Sequence, residues 1–102
     1  MRIDFHPEAT AELDASTDWY AEHGAAAARN FLVAVDIAIT SITQDPVRFF
    51  RVDERHQACS VVKFPFQIVY RHESNRIVII AIAHAKRRPG YWRDRKFADR
   101  LT

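Results

Sequence analysis

The sequence predicts an α+β fold that consists of an N-terminal strand, an antiparallel helical hairpin, a three-stranded antiparallel meander and a short C-terminal helical segment. Apolar residues recur at helical spacing in the first half of the chain and alternate with other residues, as in strands, from residue 58 onward. Helices followed by a run of strands indicate helices on one face of a mainly antiparallel sheet. A chain of 102 residues has room for one hydrophobic core, so we expect a single domain over residues 1–102.

The first two predicted elements are a strand and a helix. Residues 2–6 alternate, with Ile3 and Phe5 on one side, and predict a short strand. Pro7 suits the first turn of a helix, and Gly24 is expected to cap its C-terminus. The residues at helical spacing on this helix are Ala9, Leu13, Ser16 and Tyr20.

A second helix is predicted to start at once, over residues 25–28, and to end before Asp45 and Pro46. So short a connection between two helices is typical of an antiparallel pair. The stripe of this helix that would face the core is formed by Phe31 or Leu32, Val35, Ala38 or Ile39, and Ile42.

The second half of the chain predicts strands. After a loop with Phe49, Phe50 and Arg51, the strands cover residues 58–64, 66–72 and 76–84, with turns at Pro65 and at residues 73–75. The residues of the last strand are apolar on both of its sides, which is typical of a strand at the centre of a sheet.

The end of the last strand combines cations with aromatic residues. The apolar run 77–83 is far shorter than the ~18 residues that span a bilayer. It leads directly into AHAKRRPGYWRDR, residues 83–95. Pro89 and Gly90 break the strand there and would let Tyr91 and Trp92 fold back towards the sheet.

Charge is divided unevenly along the chain. Residues 1–50 contain three Lys or Arg against eight acids, and residues 51–102 contain twelve against five, so the two halves carry −5 and +7. A basic region of this kind suggests an anionic partner, which nucleic acid or an acidic protein segment would provide. A solubilising surface charge is the alternative explanation.

Cysteine usage and the N-terminus indicate a cytoplasmic protein. The single cysteine, Cys59, cannot form an internal disulfide, which fits a reducing compartment. We interpret it as a small apolar residue within a strand. The first residues lack the apolar region of a secretory signal.

Several kinds of catalytic site are excluded by missing motifs. The five histidines are scattered, without metal-binding His or Cys spacings, so we expect no metal. Two glycines cannot build a phosphate-binding loop, so we expect no nucleotide cofactor. No serine lies in a nucleophile elbow.

The candidate site is a group of polar side chains at strand ends. The apolar side of the second meander strand, which we expect to meet the helices, comprises Phe66, Ile68 and Tyr70. Gln67 and Arg71 then lie on an open face, which Lys63 would share from across the hairpin. Cations grouped over an open face would hold a phosphate backbone.

Such a group would suit RNA cleavage by the adjacent 2′-hydroxyl, which needs a base, an acid and cations that stabilise the phosphorane. His84 and Tyr91 are the candidate proton carriers, and Tyr91 or Trp92 could stack on a base. The candidate catalytic set is therefore Arg71, His84, Arg87, Arg88 and Tyr91. The candidate residues for binding nucleic acid or a protein partner are Arg51, Arg55, Lys63, Gln67, Lys86 and Trp92.

These side chains also have structural explanations. His84 could close its strand with a hydrogen bond. Tyr91 and Trp92 could cover the edge of the core. Residues 93–95 read as a solvated helical turn with local salt bridges.

The order of the elements, with KFPFQIVYR (63–71), NRIVIIAIAHAKRR (75–88) and PGYWRDR (89–95), resembles the RelE/ParE superfamily of bacterial toxins. The resemblance covers nearly the whole chain and is most specific in the hairpin that leads to an apolar strand ending in His and Arg. It implies the toxin of a type II toxin–antitoxin module of the plasmid-stabilisation type, which arrests growth. A cognate antitoxin would neutralise the toxin by covering its basic face.

The resemblance implies one of two targets. ParE-like members inhibit DNA gyrase without enzymatic activity, whereas RelE-like members cut mRNA on the ribosome without a metal. The cations of the RelE-like members correspond to Lys86, Arg87 and Arg88 in this sequence, and their aromatic residue corresponds to Tyr91 or Trp92. The arginine that RelE-like nucleases carry in the second hairpin strand falls at Gln67, however, and the preceding strand supplies only Lys63. These departures favour gyrase inhibition, or a fold that binds only its antitoxin, over ribosome-dependent mRNA cleavage. The alternative of mRNA cleavage stays open because of His84, Arg88 and Tyr91.

Overall fold

The computed structural model describes residues 1–97, in which two helices pack on one face of a five-stranded mixed sheet. The elements in chain order are β1 (Arg2–Phe5), α1 (Pro7–Ala21), α2 (Ala25–Gln44), β2 (Phe50–Arg51), β3 (Gln57–Ser60), β4 (Phe66–His72) and β5 (Arg76–His84). The strand order is β1-β5-β4-β3-β2, with β1 parallel to β5 and every other pair antiparallel. The predicted α+β class is confirmed, and β5 lies inside the sheet as its composition indicated.

The antiparallel part of the sheet has four strands where the sequence predicts three. The additional strand is β2, in which Phe50 pairs with Ala58 and Arg51 pairs with Gln57. Two residues are too few to produce a period of two, so the pattern could not reveal this strand.

The strand predicted over residues 58–64 ends earlier, at Ser60. A turn follows, in which the Phe64 N–H donates to the Val61 carbonyl and the Val61 N–H donates to the Phe66 carbonyl. Lys63 takes a φ of 70° within this turn. The left-handed backbone ends the strand, and it leaves Lys63 exposed at the tip of the hairpin and not on a sheet face.

Both helices occur where the sequence predicts them, but Gly24 has a different role. The C-cap of α1 is Glu22, whereas Gly24, with a φ of 135°, is the N-cap of α2. Glycine adopts this backbone conformation more readily than any residue with a Cβ atom. The N-terminus of α1 is capped by His6, whose Nδ1 accepts from the Glu8 N–H at 3.0 Å.

The helix α2 presents one apolar stripe to the core and a second to the surface. Its buried residues are Phe31, Val35, Ala38 and Ile42, as the predicted stripe requires. Leu32, Val33 and Ile37 are exposed. By length and composition α2 is also a candidate for crossing a membrane, a test that core helices of soluble proteins pass as well.

The core beneath the helices contains the predicted apolar side of β4, namely Phe66, Ile68 and Tyr70. The ring of Phe31 from α2 lies 5.1 Å from that of Phe66, and Tyr20 of α1 stacks on Phe31 at 4.9 Å. Cys59 is buried in the same core, where burial raises the pKa of its thiol. It is therefore a packing residue.

A register shift between Val69 and Tyr70 changes which face each residue of β5 occupies. Ile77 and Ile79 face the helices, and so does Ile82, whereas Ile80 and Ala81 both belong to the opposite face. His84, two residues after Ile82, consequently pairs with Phe66 on the helix side.

The second face of the sheet is covered, where the sequence predicts an open face. Residues 85–94 form successive turns and not the predicted helical segment. They fold back so that Trp92, only 5 % exposed, packs on Ala58, Val69 and Ile80. The apolar residues of this face need a cover, and the C-terminal segment supplies it.

Candidate functional site

A groove of about 560 Å³ lies between the end of β5 and the segment that follows it. We call it the basic groove. Its walls include Phe64 from the β3–β4 turn and Val52 from the β2–β3 loop. The structure brings six of the predicted site residues to this groove: Gln67, His84, Arg87, Arg88, Tyr91 and Trp92.

The cations of the groove are accessible to a partner. The side chain of Arg87 is 54 % exposed, and its guanidinium lies over the ring of Tyr91 at 3.8 Å. Arg88 is exposed and forms no ion pair with any residue from 1 to 97. The groove can therefore bind an anion, with an aromatic surface beside the charges.

Residues 91–95, which we call the strap, are held on one side by Glu12 of α1. Glu12 Oε2 accepts from the Tyr91 hydroxyl at 2.7 Å and from Arg95 at 2.8 Å, and Oε1 accepts from Arg95 and from the Ile82 N–H, each at 3.0 Å. Burial alone would raise the pKa of Glu12, but these donors together hold it below its usual value.

Tyr91 is the member of the predicted catalytic set that this arrangement affects most. Burial raises the pKa of its hydroxyl, and the hydrogen bond to Glu12 and the negative charge of Glu12 raise it further. The hydroxyl is thus neutral and donates its proton to a carboxylate of the protein itself.

Asp53, in the β2–β3 loop, holds the other side of the strap. Its carboxylate accepts from Arg93 Nε at 2.9 Å and from His56 Nδ1 at 2.9 Å. The His56 ring is 2 % exposed and lies 4.8 Å from the ring of Trp92. Burial would raise the pKa of Asp53, but the bonds from Arg93, the Arg55 N–H and His56 outweigh it and lower the pKa.

His84 lies at the junction of the basic groove and a second, aromatic cleft. Its Nδ1 accepts from the Lys86 N–H at 3.0 Å, and its ring meets the Phe66 ring edge-on at 4.9 Å. The strand-closing hydrogen bond that the sequence suggested is therefore present. The aromatic cleft, about 460 Å³, is lined by Trp19, Tyr20 and Lys86 as well as by His84.

Five predicted site residues lie outside the basic groove, and one of them, Lys86, lines the aromatic cleft. Arg71 is only 7 % exposed and pairs with Glu73 at 3.5 Å, at the far end of β4 from Gln67. Arg71 lies four positions along β4 from Gln67, about 13 Å away. Arg55 is near enough to Arg71 to lower the pKa of its guanidinium, an effect that adds to that of burial. Arg51 donates to the Glu54 carbonyl, and Lys63 is at the hairpin tip.

The structure therefore does not bring Arg71 together with the other candidate catalytic residues. Gln67, which lies on the same face of β4, is in the groove but carries no charge. The cationic end of the groove consists of residues that follow β5.

Sequence patterns do not single out Glu12, Asp53, His56 or Arg95 as residues of the site. Glu12 and Arg95 are 83 residues apart, so no local spacing relates them. Residues 93–95 were expected to make only local salt bridges, whereas Arg93 and Arg95 bond to Asp53 and Glu12. Across residues 1–97, no group of three or more His, Cys, Asp or Glu side chains is placed to hold a metal ion.

Comparison with solved structures identifies the class of fold. The chain superposes on a structure described as the chromosomal ParDE toxin–antitoxin system of P. aeruginosa, with a TM-score of 0.73 and 19 % identity. The match covers 84 % of this chain and 97 % of the other. The likeness shows that the two chains share a fold, in which two helices pack on one face of a sheet.

The sequence itself places the chain within that class. The family described as the ParE toxin of the type II toxin–antitoxin system parDE matches residues 3–89. The chain belongs to the ParE toxin family, and this membership implies a cognate antitoxin as its partner. A search among curated proteins finds no significant match.

Proposed function

We propose that this ParE-family toxin arrests growth by binding and inhibiting DNA gyrase, without catalysing a reaction, and that the basic groove is the surface that meets the target. The observation that carries the proposal is the hydrogen bond from the Tyr91 hydroxyl to Glu12, 2.7 Å long. A proton donor already bonded to a carboxylate of the protein is not placed to protonate a leaving oxygen.

The distribution of cations also favours binding over RNA cleavage. Cleavage by a 2′-hydroxyl needs positive charge at the phosphorane. The groove has a neutral Gln67 in the sheet position, and Arg71 is buried about 13 Å further along β4. Arg87 and Arg88 remain available to bind an anionic or acidic surface.

We further propose that the cognate antitoxin neutralises the toxin by laying an acidic segment across the same groove. The cations that would hold it are Arg87 and Arg88 in the groove and Lys86 next to it, all exposed. Gyrase inhibition and neutralisation by an antitoxin would take place in the cytoplasm, which agrees with the single reduced cysteine.

One observation favours the alternative, ribosome-dependent mRNA cleavage. His84, Arg87, Arg88 and Tyr91 line a single groove, as a metal-independent nuclease would require. The two functions predict different products, so one experiment separates them.

The experiment is induction of the toxin without its antitoxin, followed by a gyrase supercoiling assay and primer extension on mRNA. We expect growth arrest, loss of supercoiling activity and intact mRNA. The double variant Arg87→Ala/Arg88→Ala should abolish the arrest, whereas the matched variant Arg29→Ala/Arg48→Ala, outside the groove, should retain it. Codon-phased mRNA cuts with normal supercoiling would favour the nuclease, and full toxicity of the groove variant would refute the site.

A further inference from the structure

Glu12 connects three parts of the molecule that are distant in sequence. Its side chain leaves the middle of α1 and is only 14 % exposed. Its two oxygens accept four hydrogen bonds, from the Ile82 N–H of β5, from the Tyr91 hydroxyl and twice from Arg95. One carboxylate thus joins α1, β5 and the strap.

The contact with β5 has a clear physical cause. The parallel partner β1 pairs with β5 only as far as Ile79, and the His6 N–H donates to the Ile79 carbonyl. Beyond that point the edge of β5 that faces away from β4 is buried but has no strand beside it among residues 1–97. Glu12 accepts from the Ile82 N–H, and Arg95 donates to the Ile80 carbonyl at 3.0 Å. The Glu12–Arg95 pair therefore takes the place of the missing strand.

Through its contact with the strap, Glu12 also affects a residue of the basic groove. Tyr91, whose hydroxyl is bonded to Glu12, supplies the ring on which Arg87 lies at 3.8 Å. Arg87 Nη1 also lies 3.8 Å from Glu12 Oε2. The position of this guanidinium at the rim of the groove consequently depends on Glu12, directly and through Tyr91.

We propose that Glu12 is a positioning residue of the toxin: it clamps the strap on the sheet and so aligns Arg87 for contact with the target. The proposal rests on the function proposed above in one respect, that the basic groove meets the target. Glu12 itself is 14 % exposed and bonded to four donors, so it acts on the partner only through the groove.

The test uses the full chain carrying Trp19→Phe, which leaves Trp92, the strap residue that packs on the second sheet face, as the single tryptophan. In this background we compare Glu12→Gln and Glu12→Ala with Asp14→Asn, an exposed carboxylate on the same helix. Loss of the Glu12 charge leaves Arg95 with only its longer ion pair to Glu8, at 3.5 Å. We expect solvent-shifted Trp92 emission and a rise of about tenfold or more in the amount of toxin needed for growth arrest. Asp14→Asn should change neither.

A double-mutant cycle distinguishes positioning from general destabilisation. If Glu12 acts through Arg87, adding Arg87→Ala to Glu12→Gln should cause little further loss of toxicity, because the two changes remove the same interaction. Additive losses would overturn the proposal, as would full toxicity of Glu12→Gln. Loss of toxicity with unchanged Trp92 emission would also overturn it, because Glu12 would then contact the target itself.

The test still gives an answer if one variant does not fold or if the proposed target is wrong. If circular dichroism shows that Glu12→Ala does not fold, Glu12→Gln, which preserves the shape, and Tyr91→Phe, which removes one hydroxyl from the same cluster, carry the comparison. Growth arrest is measured in place of gyrase inhibition, so an error about the target would appear in the supercoiling assay and leave this inference intact.

Discussion

His56 shows how burial converts an ordinary titratable residue into a determinant of stability. Its Nδ1 is bonded to Asp53, and its Nε2 is buried without a hydrogen-bond partner among residues 1–97. Burial lowers the pKa of His56; Asp53 opposes the shift, and the charges of Arg71 and Arg55 reinforce it. The neutral ring therefore fits this site, since a proton on Nε2 would add a buried donor next to two cations.

The first prediction is that the free energy of unfolding falls as the pH decreases through the range of histidine titration. In the unfolded chain His56 has a pKa of about 6.5, and folding lowers it, so below about pH 6.5 the unfolded state takes up the proton first. Asp53 and Glu12 have lowered pKa values and stay ionised in this range. Urea unfolding at about pH 7.5 and about pH 5.5 measures the difference.

The variants for this measurement are His56→Gln and, as its control, His72→Gln at an exposed position on β4. His56→Gln should reduce the difference in unfolding free energy between the two pH values, and His72→Gln should preserve it. Because the pH difference is compared and not the absolute stability, a general loss of stability in His56→Gln does not affect the result. An equal pH difference in wild type and His56→Gln would assign the effect to another group.

At the scale of elements, the periodicity of apolar residues predicts the bounds and buried face of each long helix or strand. It does not predict very short strands or how the strands pair with one another. The bounds of β4 and β5 and the buried stripe of α2 agree with the sequence, because each element is long enough to display its own period. The strand β2 has two residues and displays none. The register shift at Val69, which turns His84 towards the helices, depends on pairing between strands and has no signal in either one.

The strap is the largest difference between sequence and structure. The sequence offered two readings of Tyr91 and Trp92, stacking on a nucleic-acid base or covering the core, and the structure shows that both side chains pack on the second sheet face. What decides between them is the apolar surface of Val69, Val78 and Ile80, which only a segment from elsewhere in the chain can bury.

The second prediction compares the two tryptophans. Trp92 is 5 % exposed and covers the second face, whereas Trp19 on α1 is 55 % exposed. Trp92→Ala should lower the free energy of unfolding by about 3–5 kcal/mol, and Trp19→Ala by about 0.5 kcal/mol. Chemical denaturation followed by circular dichroism measures both values. Similar losses for the two variants would mean that the strap does not contribute to the stability of the sheet.

At the scale of the whole molecule, the uneven charge of the sequence becomes a spatial arrangement. Part of the positive charge of the second half is neutralised internally, since Arg76 binds Glu73 and Asp4, Arg93 binds Asp53, and Arg95 binds Glu12. Lys86, Arg87 and Arg88 remain at the end of β5, exposed and adjacent. Sequence charge predicted a basic region, but only the fold separates the cations that stabilise the protein from those available to a partner.

The available cations lead to the third prediction, on association with the cognate antitoxin. Exposed charges grouped at one site accelerate the encounter with an acidic partner, and salt screens the effect. Lys86→Glu/Arg88→Glu should therefore slow association by about tenfold at low salt and make the rate less dependent on ionic strength. Stopped-flow or surface-binding kinetics with the cognate antitoxin would measure both quantities.

The control for this experiment is Arg29→Glu/Arg48→Glu, which changes the net charge by the same amount at exposed positions outside the basic groove. If the control slows association as strongly as the groove variant, the attraction arises from total charge and the groove has no special part in it. If only the groove variant is slow, the antitoxin approaches along the end of β5. In that case the exposed cations at the end of β5 are the ones that recognise the partner, whereas Arg93 and Arg95 are engaged within the protein by Asp53 and Glu12.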